Sequence, residues 1–188
     1  WVLAHSAEPG AHDNASGAAL CVEVARIITE LIAQKQLPRP KRSIRFLNAY
    51  ECYGFFKYLE DTRRLQAPLA GVVVDTIGSK AEVCNSRLEW HATIPMSAGF
   101  VDRVGEAIIH ATLNLSNPGY QLHLEPFVST SDTLIGDPKY GFPAPWLTTH
   151  HQAQNVGFDA YHSSADTINL IAPKRLATCV TAIAGYLC

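Results

Sequence analysis

The sequence predicts an α/β fold, a doubly wound and mostly parallel sheet flanked by helices. Three observations carry this: short apolar runs of strand length, longer runs with helical periodicity, and alternation of the two along one chain. With 188 residues, 47% of them hydrophobic and 17% charged, residues 1–188 read as a single domain with a sizeable core. The formal net charge of -2 argues against a nucleic-acid-binding surface, which needs clustered positive charge. The one basic stretch, "PRPKRS" at 38–43, reads as a solvated connector.

No apolar run reaches the roughly 18 residues of a membrane span, and no charged start with an apolar stretch and small-residue cleavage site is present. The 5 cysteines, an odd number without a framework spacing, point to free thiols in a reducing, cytoplasmic setting. Because "WVLAHS" reads as the inside of a strand, the chain is expected to start within a longer product and to lack an N-terminal portion of it.

Val2–Ala4 is a short apolar run that delivers the polar His5 at its tip. From Ala18 to about Gln34, Leu20, Val24, Ile27, Ile28 and Leu31 fall on one helical face, with Glu23, Arg26 and Glu30 on the other. "SIRFLNA" at 43–49 reads as a strand and "FFKYLED" at 55–61 as a short helix. "LAGVVVD" at 69–75 has the unbroken apolar character of a strand buried on both faces of a parallel sheet. After Asp75, "GSKAEVCNSRLEWHATIP" is turn-rich and short-stranded. A second helix follows from about Ser97 to Leu113, then strands at 120–126 and 143–149, and a closing helix after Pro173 with Leu176, Val180, Ile183 and Leu187 on one face.

In such sheets ligands bind beyond the carboxyl ends of the strands. His5, Glu51, Cys52, Asp75 and "TTHHQ" all fall at those ends, joined by Asp13 in the turn "PGAHDNASG" and by "YHSSADT" at 161–167. Imidazole, carboxylate and thiolate are the donors that bind zinc. Taken singly, each has a structural reading: His5 a satisfied strand-end histidine, Asp13 a helix cap, Cys52 a small buried hydrophobe. His12, His150 and His151 are possible substitutes, whereas His91, His110 and His123 lie on strand or helix faces. Trp90, Trp146 and Phe55–Phe56 read as core or pocket wall.

The segments "PGAHDNASGAALCVEVARII", "RSIRFLNAYECYG", "GVVVDTIG", "SDTLIGDPKYGFPAPWL" and "YHSSADTI" resemble, in order and spacing, the motifs of the zinc aminopeptidase family. These are co-catalytic dizinc exopeptidases on a hydrolase-like α/β core, and the family also has glutamate carboxypeptidase-like and glutaminyl cyclase-like members. The resemblance implies that His5 binds one zinc ion, Asp13 bridges two, Asp75 binds one and His162 the other. It makes Glu51 the general base, three residues before Gly54, and Tyr161 the donor to a developing oxyanion. Asp132, in "STSDT", matches an aspartate behind the ligands or beside the substrate. Asp13 would be aimed by its turn, with Asn14 or Ser16 capping the helix and Gly10 and Gly17 permitting the tight backbone.

The sequence departs from the family at two positions. Cys52 stands where the family has a ligating glutamate, and Ala7 where an aspartate usually orients the first histidine. Cys52 as a thiolate ligand leaves the zinc count at two, or one. The missing orienting group costs about 10–100-fold in affinity or activity unless Glu8 or a carbonyl replaces it. The expected activity is metal-dependent hydrolysis of N-terminal peptide bonds in a peptide or aminoacyl substrate, with neither nucleic acid nor membrane as partner. Two alternatives stay open: a single-zinc acyltransferase of glutaminyl cyclase type, and a catalytically degenerate homologue that binds a partner.

Overall fold

Residues 1–60, 68–85, 87–137, 139, 142–149 and 159–188 are described in a computed structural model; His150 and His151 lie outside these residues. The strands are β1 (Val2–His5), β2 (Phe46–Ala49), β3 (Val72–Asp75), β4 (Arg87–His91), β5 (Gln121–Glu125) and β6 (Trp146–Thr148). The helices are α1 (Ala15–Ala33), α2 (Tyr53–Leu59), α3 (Ala81–Cys84), α4 (Phe100–Ser116) and α5 (Pro173–Leu187). The sheet order is β2-β1-β3-β6-β4-β5. β2, β1, β3 and β6 run parallel, β4 is antiparallel to β6, and β5 is parallel to β4.

Alternation along the strands sends side chains into two cores. Val2, Ala4, Val72, Val74, Leu88, Trp90 and Leu147 pack with apolar residues of α1, α4 and α5 on one face. Leu3, Val73 and Trp146 pack on the other, against Phe55, Tyr58 and Leu59 of α2 and against Ile135 in the 3-10 turn Thr133–Gly136. The predicted wall aromatics Trp90, Trp146 and Phe55 are buried, while Phe56 is exposed. His5 and Asp75 share the parity of Leu3 and Val73, which are register partners. Extending that register by two residues sets His5 beside Asp75 at the carboxyl edge.

The predicted elements are present with shifted ends, and one strand differs in character. β4 carries Glu89 and His91 fully inside the protein, so its polar text hid a central strand. Burial there is tolerated because the charges pair: the Arg87 guanidinium lies 3.1 Å from Glu89 and 2.8 Å from Glu125, and His91 Nε2 lies 2.8 Å from Glu89. The second helix begins at Phe100, because Pro95–Ser97 forms a separate 3-10 turn. The Asp102 carboxylate accepts from the backbone N–H groups of Thr93 and Gly99, fixing that helix start.

The α1 start decides where the opening turn points. The Asn14 side-chain oxygen accepts from Gly17 N–H at 2.8 Å and Thr76 N–H at 3.3 Å, while its amide donates to Val74 O. Asn14 is therefore the cap, and it ties the end of β3 to the head of α1. Ser16 instead donates to His12 O and accepts from Ile77 N–H. Gly10 and Gly17 are required by space, not by backbone angle. A Cβ on Gly10 would collide with Asp13 O and the Asp166 carboxylate, and one on Gly17 with Asn14 and Val74 O.

Candidate metal centre

The carboxyl ends of β1, β2 and β3 and the loops that follow gather most of the sequence-predicted residues. His5 Nε2 lies 3.3 Å from Asp13 Oδ1, 3.2 Å from Asp75 Oδ1 and 4.0 Å from Asp132 Oδ2. The other Asp13 oxygen, Oδ2, lies 3.2 Å from His162 Nε2. Among the described residues two donor groups result, His5–Asp13–Asp75 and Glu8–Asp13–His162, each with its atoms within 4.8 Å of one another. Asp13 belongs to both.

The spacing suits a cation shell as well as hydrogen bonds. Charge-assisted N–H···O contacts settle near about 2.7–2.9 Å. Donors tetrahedrally arranged about zinc at about 2.0–2.1 Å stand about 3.3–3.4 Å apart. The contacts at 3.2 and 3.3 Å on both sides of Asp13 lie nearer the second value. Imidazole and carboxylate donors at that separation fit zinc.

Asp13 is held in place from behind. The backbone N–H groups of His12 and Asp13 donate to the two oxygens of buried Asp166 at 2.8 and 2.9 Å, and Ala11 N–H donates to Asp166 O. Asp166 sits four residues after His162, so one carboxylate locks the two metal-facing loops together. Within "YHSSADT" nothing local marks Asp166 for this role. Hydrogen bonds to a charged group contribute about 1.5–3 kcal/mol each. Asp166→Ala is therefore expected to lower unfolding free energy by about 2–4 kcal/mol in urea titration and to weaken zinc binding, and unchanged values for both would refute this positioning role.

Glu51, two residues past β2, accepts a 2.6 Å hydrogen bond from Ser131 Oγ. Ser131 was also unassigned, although its neighbour Asp132 was singled out. Asp132 is buried, near His5. Tyr161 is 41% exposed, with its ring stacked on His162 at 3.8 Å between centroids. Cys52 is half-buried at the head of α2 with φ of 54° and belongs to neither donor group. Cys52, Thr76 and His162 all adopt positive φ at this edge, a backbone state that costs of order 1–3 kcal/mol per residue and clusters at functional sites. His12 is turned away into a buried hydroxyl cluster, 2.5 Å from Ser79 Oγ and 3.2 Å from Thr149 Oγ1.

Crowded carboxylates create a demand for positive charge. Burial alone would lower the His5 pKa, but hydrogen bonds to Asp13 and Asp75 outweigh it and raise it to about 11. Burial, with the contact to Glu51, raises Glu8 to about 7. Burial and then the Asp75 charge hold Asp132 well above the usual carboxylate range. Glu51 goes the other way: burial opposes ionisation, yet hydrogen bonds from Ser131 and Glu8 keep it below its ordinary value. The Tyr161 hydroxyl is pushed up by burial and by the Asp13 charge.

The sign of the resulting pH dependence is fixed. His5, Glu8 and Asp132 bind protons more tightly in the folded metal-free chain than in the unfolded one. Their stabilisation is complete at pH values below their unfolded pKa values, 6.5 for His5 and 4.5 for Glu8. It is lost as pH rises through about 7 for Glu8 and about 11 for His5. With chelator present, the melting temperature is expected to fall from pH 6 to pH 9, and zinc is expected to reduce or reverse the fall by displacing these protons. Chelated protein that melts higher at pH 9 would contradict this.

The α/β sheet thus gathers, at its carboxyl edge, imidazole and carboxylate donors of the kind that hold zinc. The chain belongs to peptidase family M28, whose family model matches residues 3–187. A zinc aminopeptidase from Bacillus subtilis aligns with TM-score 0.74 at 20% identity, covering 98% of this chain and 44% of that one. An aminopeptidase from Aneurinibacillus sp. strain AM-1 aligns with TM-score 0.71 at 22% identity, covering 99% and 42%. Glutaminyl cyclase from Porphyromonas gingivalis aligns with TM-score 0.68 at 17% identity, covering 99% and 71%. The chain thus spans less than half the length of these two aminopeptidases. No curated protein sequence matches it.

Proposed function

We propose that the chain is the catalytic core of a zinc-dependent aminopeptidase that hydrolyses N-terminal peptide bonds. The observation that carries this reading is Asp13, whose two oxygens face separate imidazoles, His5 at 3.3 Å and His162 at 3.2 Å. A carboxylate so divided would serve a two-metal site. His5, Asp13 and Asp75 would hold one zinc ion, and Asp13 with His162 would anchor the second. When bound, zinc supplies a Lewis-acid charge that acidifies water and polarises a carbonyl.

The chain's own residues supply the rest. Glu51, held as the acceptor of the Ser131 Oγ hydrogen bond, accepts a proton from the attacking water and returns it to the leaving amine. Tyr161 keeps its hydroxyl proton, since burial and nearby carboxylates oppose its ionisation, and it donates to the developing oxyanion. Asp132, near His5, helps set the charge of the first group.

The test is an assay of aminoacyl chromogenic amides and N-terminal glutaminyl peptides, run on the zinc-loaded chain with and without chelator. Chelator-sensitive amide hydrolysis is the expected result. Cyclisation without hydrolysis would favour the single-zinc acyl-transfer reading, and inactivity of fully loaded, folded protein on both would refute the aminopeptidase.

A further inference from the structure

We infer that Glu8, and not Cys52, supplies the remaining protein donor to the second zinc position, while its other carboxylate oxygen orients the His5 imidazole. The inference rests on the zinc-peptidase reading and deepens it. Glu8 lies three residues after His5, in the short connection between β1 and the Asp13 turn, and its two oxygens face different partners. Oε1 is 3.7 Å from His162 Nε2, a few tenths of an ångström beyond the about 3.3–3.4 Å between two donors on one tetrahedral zinc ion. Oε2 is 2.8 Å from His5 Nδ1, the ring nitrogen that points away from Asp13 and Asp75.

This second distance is that of an ion pair or charge-assisted hydrogen bond rather than of a shared ion. Neither atom completes an aligned hydrogen bond, and both are buried. A zinc-binding histidine commonly gives its second N–H to a carboxylate, which fixes ring orientation and tautomer. Ala7 has no side chain able to do this, and Glu8 does.

On the other side, Glu8, Asp13 and His162 converge while Cys52 belongs to neither donor group. One side chain thereby takes over two tasks that a family member assigns to separate acidic residues, and Cys52 is released from ligation. The chain keeps two zinc positions with a donor set of imidazole and carboxylate alone. No thiolate is needed.

The test uses the intact chain stripped of metal and titrated with zinc and, separately, cobalt(II). Bound metal is counted by mass spectrometry after dialysis, and thiolate ligation is read from the cobalt charge-transfer absorption in the near ultraviolet. Wild type is expected to hold two ions without a cobalt–thiolate band, and C52S to match it within about threefold in affinity. E8Q is expected to retain one ion, with the first bound about 10–100-fold more weakly through the disoriented His5 and the second lost. A cobalt–thiolate band abolished by C52S would overturn the inference, as would E8Q holding two ions at wild-type affinity. If E8Q fails to fold, E8D, which keeps the carboxylate on a shorter arm, replaces it with the same expected weakening of both positions, and the cobalt spectra of wild type and C52S still decide whether Cys52 is a ligand. Wild-type protein that binds no ion would instead sink the zinc reading itself, so the two failures are distinguishable.

Discussion

Replacing Asp13 by Ala is expected to abolish binding at both zinc positions at once. The reason is geometric: among the described residues Asp13 is the donor common to the His5–Asp13–Asp75 and Glu8–Asp13–His162 groups. Loss of a residue that merely supports a ligand costs about 10–100-fold in affinity. Loss of a bridging donor is expected to exceed about 100-fold at each position, with peptidase activity falling to background. The fold should survive, because Asp13 contributes a backbone N–H, and not its side chain, to the lock on Asp166. Isothermal titration with zinc, beside a circular dichroism melt, checks both statements. A variant that keeps one tight ion would show that the groups are independent and that Asp13 does not bridge.

The second large effect separates chemistry from binding. Glu51→Gln keeps the shape and the Ser131 contact but cannot accept a proton, so kcat is expected to fall by about 10²–10⁴-fold. Zinc content should stay at the wild-type value, since Glu51 belongs to neither donor group. Substrate affinity should change little. Steady-state kinetics on metal-counted protein is the measurement. A fall in activity that follows zinc loss in proportion would make Glu51 a ligand, contrary to its assigned role.

Much of this arrangement was legible in the sequence because strand ends are legible. An unbroken apolar run that stops at His5 or Asp75 says both that a strand is buried and where its carboxyl end lies. Register then places those two residues side by side. What periodicity did not reveal was the direction and depth of β4, because the stretch reads as turn-rich and short-stranded while Arg87, Glu89 and His91 pair with one another and with Glu125. Charge compensation between distant segments has no local signature.

The same limit explains the site residues that were missed. Asp166 and Ser131 stand inside quoted segments, yet their roles arise from contacts 153 and 80 residues away in sequence. Glu8 was considered only as a stand-in partner for His5, because its second oxygen meets His162 through a loop closure that spacing cannot predict. Position in the motif puts Cys52 among the donors. The backbone at the head of α2 does not bring it into either group.

The central claim is that two zinc ions share Asp13. An anomalous-scattering map at the zinc edge, recorded from crystals grown with zinc, tests it most directly. The account predicts two peaks about 3.5–4 Å apart on either side of the Asp13 carboxylate, one against His5 and Asp75 and the other against His162. A map with no peak at this edge of the sheet, or with Asp13 touching neither ion, would contradict it.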